Sequence, residues 1–310
     1  MKGKSYLLAV DGDNALHRAY YGNPSTEKPM GYRINGVITF FRSINKMLRR
    51  NYYNHLAVAW DIRSTLLKRA DILEPYGVIY KDRESGLSPE QLVRRKEIHE
   101  QKIMCHNLLN AMGVPSLISP KKTGGYEADD ILATLAKRCK VSLVDILTTD
   151  KDLAQILSRK ISIMNPAKNK RITAMDCEDF FGVEPDSIVD LLCLLGDSSD
   201  NVPGIKGCGP VTALKLLQQY GSLEEILLNK QHIKGSVGKT LVSGDHIPLD
   251  VIRSVIEVDC KVYKKGDTRL DPVTMSFDTI QENIDSNLEE IKKLKESLGI
   301  EGDLLAEFNI

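Results

Sequence analysis

Short apolar runs rich in β-branched residues alternate with longer helical patterns through the first part of this 310-residue chain. The helical patterns cover roughly Gly36–Arg50, Ser88–Met112 and Tyr126–Cys139. The apolar runs predict buried strands at Tyr6–Val10, Leu56–Trp60, Ser116–Ile118 (the weakest), Val141–Leu147 and Ile161–Met164. Such alternation is typical of a parallel sheet covered by helices on both faces. We therefore expect an α/β fold.

The pattern changes near Pro185. From there apolar residues recur at helical spacing, and glycine and proline interrupt them between Gly196 and Pro210. We expect an α/β core over residues 1–184, a helical module over 185–265 and a helical tail over 266–310. The tail contains a charged amphipathic helix at Asn287–Ile300. Residues 62–104 form a segment rich in lysine and arginine, which is either a functional insertion or a solvated surface segment.

Composition excludes several classes of protein. Lysine plus arginine and aspartate plus glutamate number 42 each, so any electrostatic interaction with a partner must be local. The six cysteines form no CxxC pair, which favours reduced thiols in a cytoplasmic protein. The apolar run before Asp11 is too short for a signal peptide, and no run is long enough to span a membrane.

Carboxylates follow the predicted strands at the point where each strand ends. Asp11, Asp61 and the pair Asp150 and Asp152 come after three of them. Because parallel strands end at one edge of a sheet, these acids should lie close together. Two further groups accompany them: Glu127, Asp129 and Asp130 at a predicted helix start, and Asp197 and Asp200 where the helical module begins.

Each acid alone has an ordinary explanation. Acids in a first helical turn stabilise the helix dipole, and aspartate after a strand often begins a turn. Together, however, so many carboxylates would repel one another unless cations compensate them. An all-oxygen ligand set suits Mg²⁺ or Mn²⁺, and two such ions support displacement at phosphorus. The sequence therefore predicts metal-dependent phosphodiester hydrolysis.

A glycine-rich segment in the helical module predicts phosphate binding. Gly204, Gly207 and Gly209 permit a tight hairpin, and Pro210 suits the first turn of the next helix. The duplex backbone would then be bound, without contacts to bases, by backbone N–H groups and by Lys206 and Lys215. An ordinary corner between two helices is the alternative. The later stretch GSVGKT, residues 235–240, is not a nucleotide-binding loop because Ile233 stands where the first glycine is required.

Four motifs occur in one order along the chain: Asp11-Gly12, YEADD at 126–130, TDKD at 149–152 and GDSSDNVPG at 196–204. Over roughly residues 5–265 they resemble the 5′-nuclease family, which includes the 5′-nuclease domain of bacterial DNA polymerase I, phage counterparts and flap endonucleases. The resemblance implies a PIN-like parallel sheet flanked by helices, a helical arch inserted at 62–104 and a helix–three-turn–helix module. No polymerase follows, so we expect the stand-alone form.

The resemblance also implies roles for individual residues. Asp11, Asp61, Glu127 and Asp129 would surround one metal ion, and Asp150, Asp152 and Asp200 the other. Asp130 and Asp197 would bridge or act through water, and which acids coordinate directly stays open. The remaining site residues are Lys81, Arg83 and Arg18 facing the scissile phosphate, Tyr80 stacking a base, and Gly204, Lys206, Gly207, Gly209, Thr212 and Lys215 on duplex DNA.

Two of these assignments have an alternative or a departure from the family, and one further acid has no assignment. Arg83 comes one residue earlier than the family's YKxxR spacing, and Arg18 could instead form a helix-surface salt bridge. Asp13 has no family counterpart and is interpreted as a turn residue.

These features together predict a structure-specific 5′ nuclease acting in replication or repair. It would cut DNA at 5′ ends or 5′ flaps, leaving 5′-phosphate and 3′-hydroxyl, and would also accept RNA–DNA hybrids. We expect two Mg²⁺ or Mn²⁺ ions, K⁺ at the hairpin, a monomer without membrane contact, and replication proteins as partners in a bacterial or phage-infected cell. A PIN-type ribonuclease and a non-catalytic DNA-structure binder are the alternatives.

Overall fold

The computed structural model describes residues 4–22, 34–49, 53–62, 67–81, 86–119, 125–263, 266–301 and 304–305. Arg83 and the residues numbered 63–66 and 82–85 of the expected arch lie outside the described residues. Within the described residues, no helix has both the length and the apolar character needed to cross a membrane.

A six-stranded sheet forms the centre of the molecule. In chain order its strands are β1 (Tyr6–Asp11), β2 (His55–Trp60), β3 (Ser116–Ile118), β4 (Leu143–Leu147), β5 (Ile161–Asn165) and β6 (Lys170–Ile172). Their spatial order is β3-β2-β1-β4-β5-β6, with β1 to β5 parallel and β6 antiparallel to β5. The predicted parallel sheet is therefore confirmed. The short, largely exposed strand β6 was not predicted.

Helices cover both faces of the sheet. In chain order they are α1 (Gly12–Gly22), α2 (Asn35–Leu48), α3 (Lys68–Leu73), α4 (Pro89–Ala111), α5 (Ala128–Arg138), α6 (Cys177–Phe181), α7 (Ile188–Leu195), α8 (Pro210–Tyr220), α9 (Leu223–Leu228), α10 (Gly235–Ser243), α11 (Leu249–Ile256), α12 (Pro272–Met275) and α13 (Phe277–Ser297). One buried cluster contains residues of α1, α2, α4 and α13, and the other contains residues of α5 and the helical module. All six cysteines are unpaired.

Several element boundaries have clear local causes. Ser88 begins α4 with a reciprocal capping box to Gln91, and Pro210 occupies the first position of α8, where a missing N–H costs nothing. The tail helix starts at Phe277, ten residues before the predicted start at Asn287, because Ser276 caps it. Contrary to the expectation of a helical module over residues 185–265, two short strands lie within it. Gly196–Asp197 (β7) pairs antiparallel with Val202–Pro203 (β8) inside it.

Candidate active site

The carboxyl edge of the sheet gathers the predicted acids. Asp11 is the last residue of β1 and Asp61 directly follows β2, while Asp150 follows β4 after two threonines. The charges of Asp61 and Asp150 both act on Asp11 and raise its pKa, as close neighbours do. We call this group the acid edge. Its members are Asp11, Asp61, Glu127, Asp129, Asp130, Asp150, Asp152, Asp197 and Asp200.

Asp11 is held by local hydrogen bonds. Its carboxylate accepts from the Asn14 backbone N–H at 3.1 Å and from the Thr148 hydroxyl at 2.9 Å. Thr148 Oγ1 also accepts from the Asp150 N–H at 3.0 Å, so one threonine links the ends of β1 and β4. Burial raises the pKa of Asp11 to about 8 despite these bonds. A charge placed here therefore needs a further compensating cation.

Asp150 and Asp152 resemble Asp11, because burial raises their pKa values as well. Burial raises the pKa of Asp150 to about 6, and burial together with the Asp150 charge raises that of Asp152 to about 8. The Asp152 N–H donates to Asp150 Oδ1 at 2.9 Å. Asp152 Oδ1 is buried and finds no hydrogen-bond partner among the described residues. A buried carboxylate oxygen without a donor is costly, and a bound cation would relieve that cost.

Arg69 compensates part of this charge, and sequence analysis missed it. The guanidinium lies 2.5 Å from Glu127, 3.2 Å from Asp129 and 2.8 Å from Asp130, and the residue is only 6% exposed. Burial would lower the pKa of Arg69, but the three carboxylates outweigh it and raise the pKa. Arg69 lies on α3, far from these acids in sequence. Among so many lysines and arginines in the 62–104 segment, no local pattern distinguishes it.

Tyr80 and Lys81 also contact Glu127, and both lie close to Asp200. The Tyr80 hydroxyl donates to Glu127 at 2.8 Å and to Asp200 at 3.2 Å, and its ring is buried. Lys81 Nζ contacts Glu127 and lies 3.4 Å from Asp200. Burial alone would lower the pKa of Lys81, but the charges of Asp61, Glu127 and Asp200 raise it. The role of Tyr80 in base stacking stays a prediction, and it requires the ring to leave this buried position.

Asp197 and Asp200 lie on the β7–β8 ribbon and its turn. A Cβ atom on Gly204 would lie 2.4 Å from the Gly196 backbone nitrogen, so glycine at 204 lets the two chains cross closely. Burial pushes the pKa of Asp197 upward, but hydrogen bonds from Ser199 and Lys151 outweigh it and lower the pKa. Lys151 Nζ lies 2.9 Å from Asp197. Asp197 is thus already neutralised within the protein.

The turn of this ribbon also fixes the residues around Lys81. The Asp200 carbonyl accepts from the Lys81 N–H at 2.9 Å, and the Asn201 side chain donates to the Ile79 carbonyl at 2.8 Å. Lys81 and Asn201 both have positive φ, at 48° and 58°, which non-glycine residues seldom adopt. Such strain persists only where surrounding contacts impose it. The 196–203 ribbon and the 79–81 segment therefore hold one another in place.

One described residue among the predicted cations, Arg18, stands apart from this network. Arg18 lies on α1, where partial burial lowers its pKa, and it pairs with no described residue. Arg83 lies outside the described residues, so its shifted spacing stays untested.

The acid edge is not a preformed metal cage. Across the described part of the chain, no three His, Cys, Asp or Glu side chains are arranged to hold a metal ion. Arg69, Lys81 and Lys151 instead contact several of the carboxylates. The donor set nevertheless fits a hard divalent ion, since it consists of carboxylate oxygens and includes the unpartnered Asp152 Oδ1.

The predicted phosphate-binding turn precedes α8. Gly207 has φ of 83°, and Lys206 and Lys215 are exposed. Thr212 lies in the first turn of α8, where its N–H donates to the Gly209 carbonyl at 3.0 Å. For the N–H groups of Gly207 and Gly209, the described residues supply no acceptor. Gly204 serves the close crossing at Gly196 rather than this turn.

A second turn with the same tripeptide leads into the first residue of α10, and sequence analysis missed it. Ile205-Lys206-Gly207 is repeated as Ile233-Lys234-Gly235, and the φ of Gly235 is also 83°. A Cβ atom on Gly207 would lie 2.7 Å from Ser236 Oγ, so the two turns are adjacent. The repeated Ile-Lys-Gly tripeptide was the available signal. Its glycine, Gly235, is also the first residue of the GSVGKT stretch.

Comparison with known proteins places this fold and site in a family. Residues 6–182 match the family described as 5′-3′ exonuclease, N-terminal resolvase-like domain, and residues 183–275 match 5′-3′ exonuclease, C-terminal SAM fold. The chain therefore belongs to the 5′–3′ exonuclease family, a family of nucleases. The family and fold class predicted from the sequence are confirmed.

Individual relatives agree with this assignment. A 5′-3′ exonuclease of Aquifex aeolicus is 34% identical over 225 residues, which cover 72% of each chain. The thermostable DNA polymerase I of Thermus thermophilus is 33% identical over 233 residues, but the match spans only 26% of that protein.

Among solved structures, the 5′-exonuclease of bacteriophage T5 with bound zinc has a TM-score of 0.67 at 18% identity, covering 92% of this chain and 99% of the phage protein. A complex of the T5 flap endonuclease with DNA and metal ions has a TM-score of 0.65 at 17% identity, with 93% and 99% covered.

Proposed function

We propose that this chain is a structure-specific 5′ nuclease that uses two Mg²⁺ or Mn²⁺ ions to hydrolyse DNA phosphodiesters. It would cut near a 5′ end or at the base of a 5′ flap and leave 5′-phosphate and 3′-hydroxyl. The observation that carries this proposal is the acid edge. Burial raises the pKa values of Asp11 and Asp152 there to about 8, and one buried oxygen of Asp152 lacks a partner among the described residues.

The contacts of the acids support different roles within the site. Among the described residues, Asp11, Asp150 and Asp152 form no salt bridge, so they are the strongest candidates for direct ligands, although the charges of Lys81 and Lys151 act on Asp150 and Asp152. Asp130 is held by Arg69 and by the Asp259 N–H, and Asp197 is held by Lys151, which favours indirect roles for both. The remaining proposed ligands are Asp61, Glu127, Asp129 and Asp200.

The bound ions would supply a hydroxide nucleophile and stabilise the leaving oxygen. The chain's own residues would orient the substrate. Lys81 is the cation best placed to serve the scissile phosphate, because it already lies among Asp61, Glu127 and Asp200. Arg69 is more deeply buried and holds three carboxylates at once, so we assign it to ordering the acids rather than to the substrate.

Duplex DNA would be held by the helical module. Its two adjacent turns present backbone N–H groups and the exposed lysines Lys206 and Lys234, which suit phosphates of any sequence. The T5 flap endonuclease was solved with DNA and metal ions, which supports the same class of ligand here. K⁺ at the first turn, RNA–DNA hybrids as substrates, replication proteins as partners, a monomeric state and a cytoplasmic location also belong to this proposal.

One assay tests the proposal against its alternatives. Labelled 5′-flap DNA and labelled single-stranded RNA are incubated with the protein in Mg²⁺ and in EDTA. We expect flap DNA to be cut near the junction in Mg²⁺ only. Cleavage confined to the RNA would indicate a PIN-type ribonuclease, and flap binding without cleavage would indicate a DNA-structure binder.

A further inference from the structure

Asp13 is more than the turn residue that its sequence position suggested. It lies in the first turn of α1, two residues after Asp11. Its Oδ2 accepts from the backbone N–H of Asp61 at 2.7 Å. The same carboxylate meets Lys102 Nζ at 2.9 Å and 2.8 Å. Asp13 therefore connects the end of β2 to a cation on another element.

Lys102 completes the connection from the middle of α4. Its Nζ donates to the Asp61 carbonyl at 2.7 Å and lies 5.6 Å from the centre of the Trp60 ring. The Lys102 and Asp13 side chains are only 17% and 21% exposed. Both main-chain polar groups of Asp61 are thus held by one ion pair, the N–H by Asp13 and the carbonyl by Lys102.

The Asp61 side chain is oriented from a third direction. Its Oδ1 accepts from the Ala128 N–H at 2.8 Å, at the start of α5. The end of β2, the first turns of α1 and α5 and the middle of α4 therefore meet at one residue. The Asp61 charge in turn acts on Asp11, Glu127 and Asp129, so a shift of Asp61 would change the field at much of the acid edge.

We propose that Asp13 and Lys102 are positioning residues that fix the main chain of Asp61, and with it the Asp61 carboxylate, for metal binding at the acid edge. They would also tie that carboxylate to α4, the helix that follows the 79–81 segment. This inference rests on the proposed metal-dependent nuclease function. The rival explanation is an ion pair that only fastens α4 to the sheet.

The two explanations differ in whether replacing both charged side chains by neutral ones restores metal binding as well as stability. Lys102→Met leaves a partly buried carboxylate without its cation, which destabilises the fold. Adding Asp13→Asn removes the lone charge, so the double variant should regain most of the lost thermal midpoint. It still lacks the donor to the Asp61 carbonyl. If the pair positions Asp61, metal binding should therefore stay impaired after stability has recovered.

The test measures Lys102→Met, Asp13→Asn and the double variant below all of their melting temperatures. Mg²⁺ affinity is determined by calorimetry without DNA, and single-turnover cleavage with saturating flap DNA. Loss of an outer partner of a metal ligand commonly costs about 10- to 100-fold in metal affinity or activity. We expect losses in that range for Lys102→Met and for the double variant, with DNA affinity changed less than about threefold.

Lys292→Met is the control, because Lys292 is an exposed lysine on α13, outside the expected arch. It should bind Mg²⁺ and cut DNA like the unaltered protein. Recovery of Mg²⁺ affinity and cleavage together with stability in the double variant would overturn the inference and leave the nuclease proposal intact. An unaltered protein that neither binds Mg²⁺ nor cuts flap DNA would refute the nuclease proposal itself.

Discussion

The acid edge and the two turns of the helical module differ in the sign of their charges and in how deeply those charges are buried. The acid edge concentrates negative charge in a buried place, where Asp11, Glu127 and Asp197 are 9%, 1% and 5% exposed. The turns carry single positive charges on exposed lysines, beside backbone N–H groups. Burial makes each charge at the acid edge strongly dependent on its neighbours, whereas solvent screens the charges at the turns.

This difference predicts how each region responds to mutation. At the acid edge, a substitution should change chemistry sharply and should relieve repulsion in the absence of metal. At the turns, each substitution should remove one independent contact with a phosphate.

The largest effect is expected at the acid edge itself. Changing Asp150 or Asp200 to Asn should reduce cleavage about 1,000-fold or more, since several kcal/mol of charge stabilisation depend on the ions these residues would hold. The metal-free thermal midpoint of the Asp150 variant should hold or rise, because a repelling charge is removed. Single-turnover cleavage and metal-free melting measure the two effects. Asp250→Asn, an exposed acid on α11, is the control. Near-normal cleavage by both variants would refute the ligand assignment.

Lys81 should show a smaller loss that is confined to chemistry. Lys81→Ala is expected to reduce the single-turnover rate roughly 100- to 1,000-fold, as removal of a preorganised charge does elsewhere. Affinity for flap DNA should stay within a few fold, because the interaction strengthens only as charge develops on the phosphoryl oxygens. Rate and dissociation constant are measured at saturating Mg²⁺. A variant that cuts at full rate when saturated would make Lys81 a simple partner of Glu127.

The same measurement on Arg83→Ala tests the shortened motif spacing. A comparable loss of rate would show that the motif tolerates one residue fewer.

The sequence predicted one region of this site better than its surroundings. The strands and the positions of the acids follow from continuous apolar runs and from the geometry of parallel sheets, which are local signals. Arg69 and the Asp13–Lys102 pair depend on contacts between residues far apart in the chain, and no local pattern encodes such contacts. The buried position of Tyr80 is likewise fixed by Glu127 and Asp200, which lie on other elements.

The pKa values of the acid edge predict a pH-dependent response to metal. The pKa values of Asp11, Asp130 and Asp152 are raised to about 8, 7 and 8, chiefly by burial. The folded state therefore binds protons more tightly than the unfolded state. Stability from these groups is present at low pH and is lost as pH rises toward 8. A bound divalent ion would offset that loss.

The increase in thermal midpoint caused by Mg²⁺ should accordingly grow between pH 5.5 and pH 8.5, by roughly 3–6 °C. Buried His55 and half-buried His106 have lowered pKa values and act in the opposite direction, so the Mg²⁺-induced difference is the quantity to measure. Asp152→Asn should show a weaker pH dependence. An Mg²⁺ effect independent of pH would contradict the raised pKa values.

The smallest effects are expected at the turns. Lys206→Ala, Lys215→Ala and Lys234→Ala should each weaken duplex binding a few fold and reduce the salt dependence of log Kd by about one unit, the signature of one lost phosphate contact. The loss should be equal on duplexes of unrelated sequence, because backbone contacts carry no base information. Lys292→Ala on α13 is the control, since that lysine pairs with Glu289 on the tail helix.

The double variant Lys206→Ala/Lys234→Ala tests whether one turn or both turns contact phosphates. If both turns contact phosphates, the losses should add and the salt dependence should fall by about two units, because exposed charges act independently. An effect no larger than that of Lys206→Ala alone would leave the second turn as a structural copy that supports the first. A loss restricted to particular sequences would indicate base readout, and the contrast with the acid edge would then lie in specificity rather than in charge.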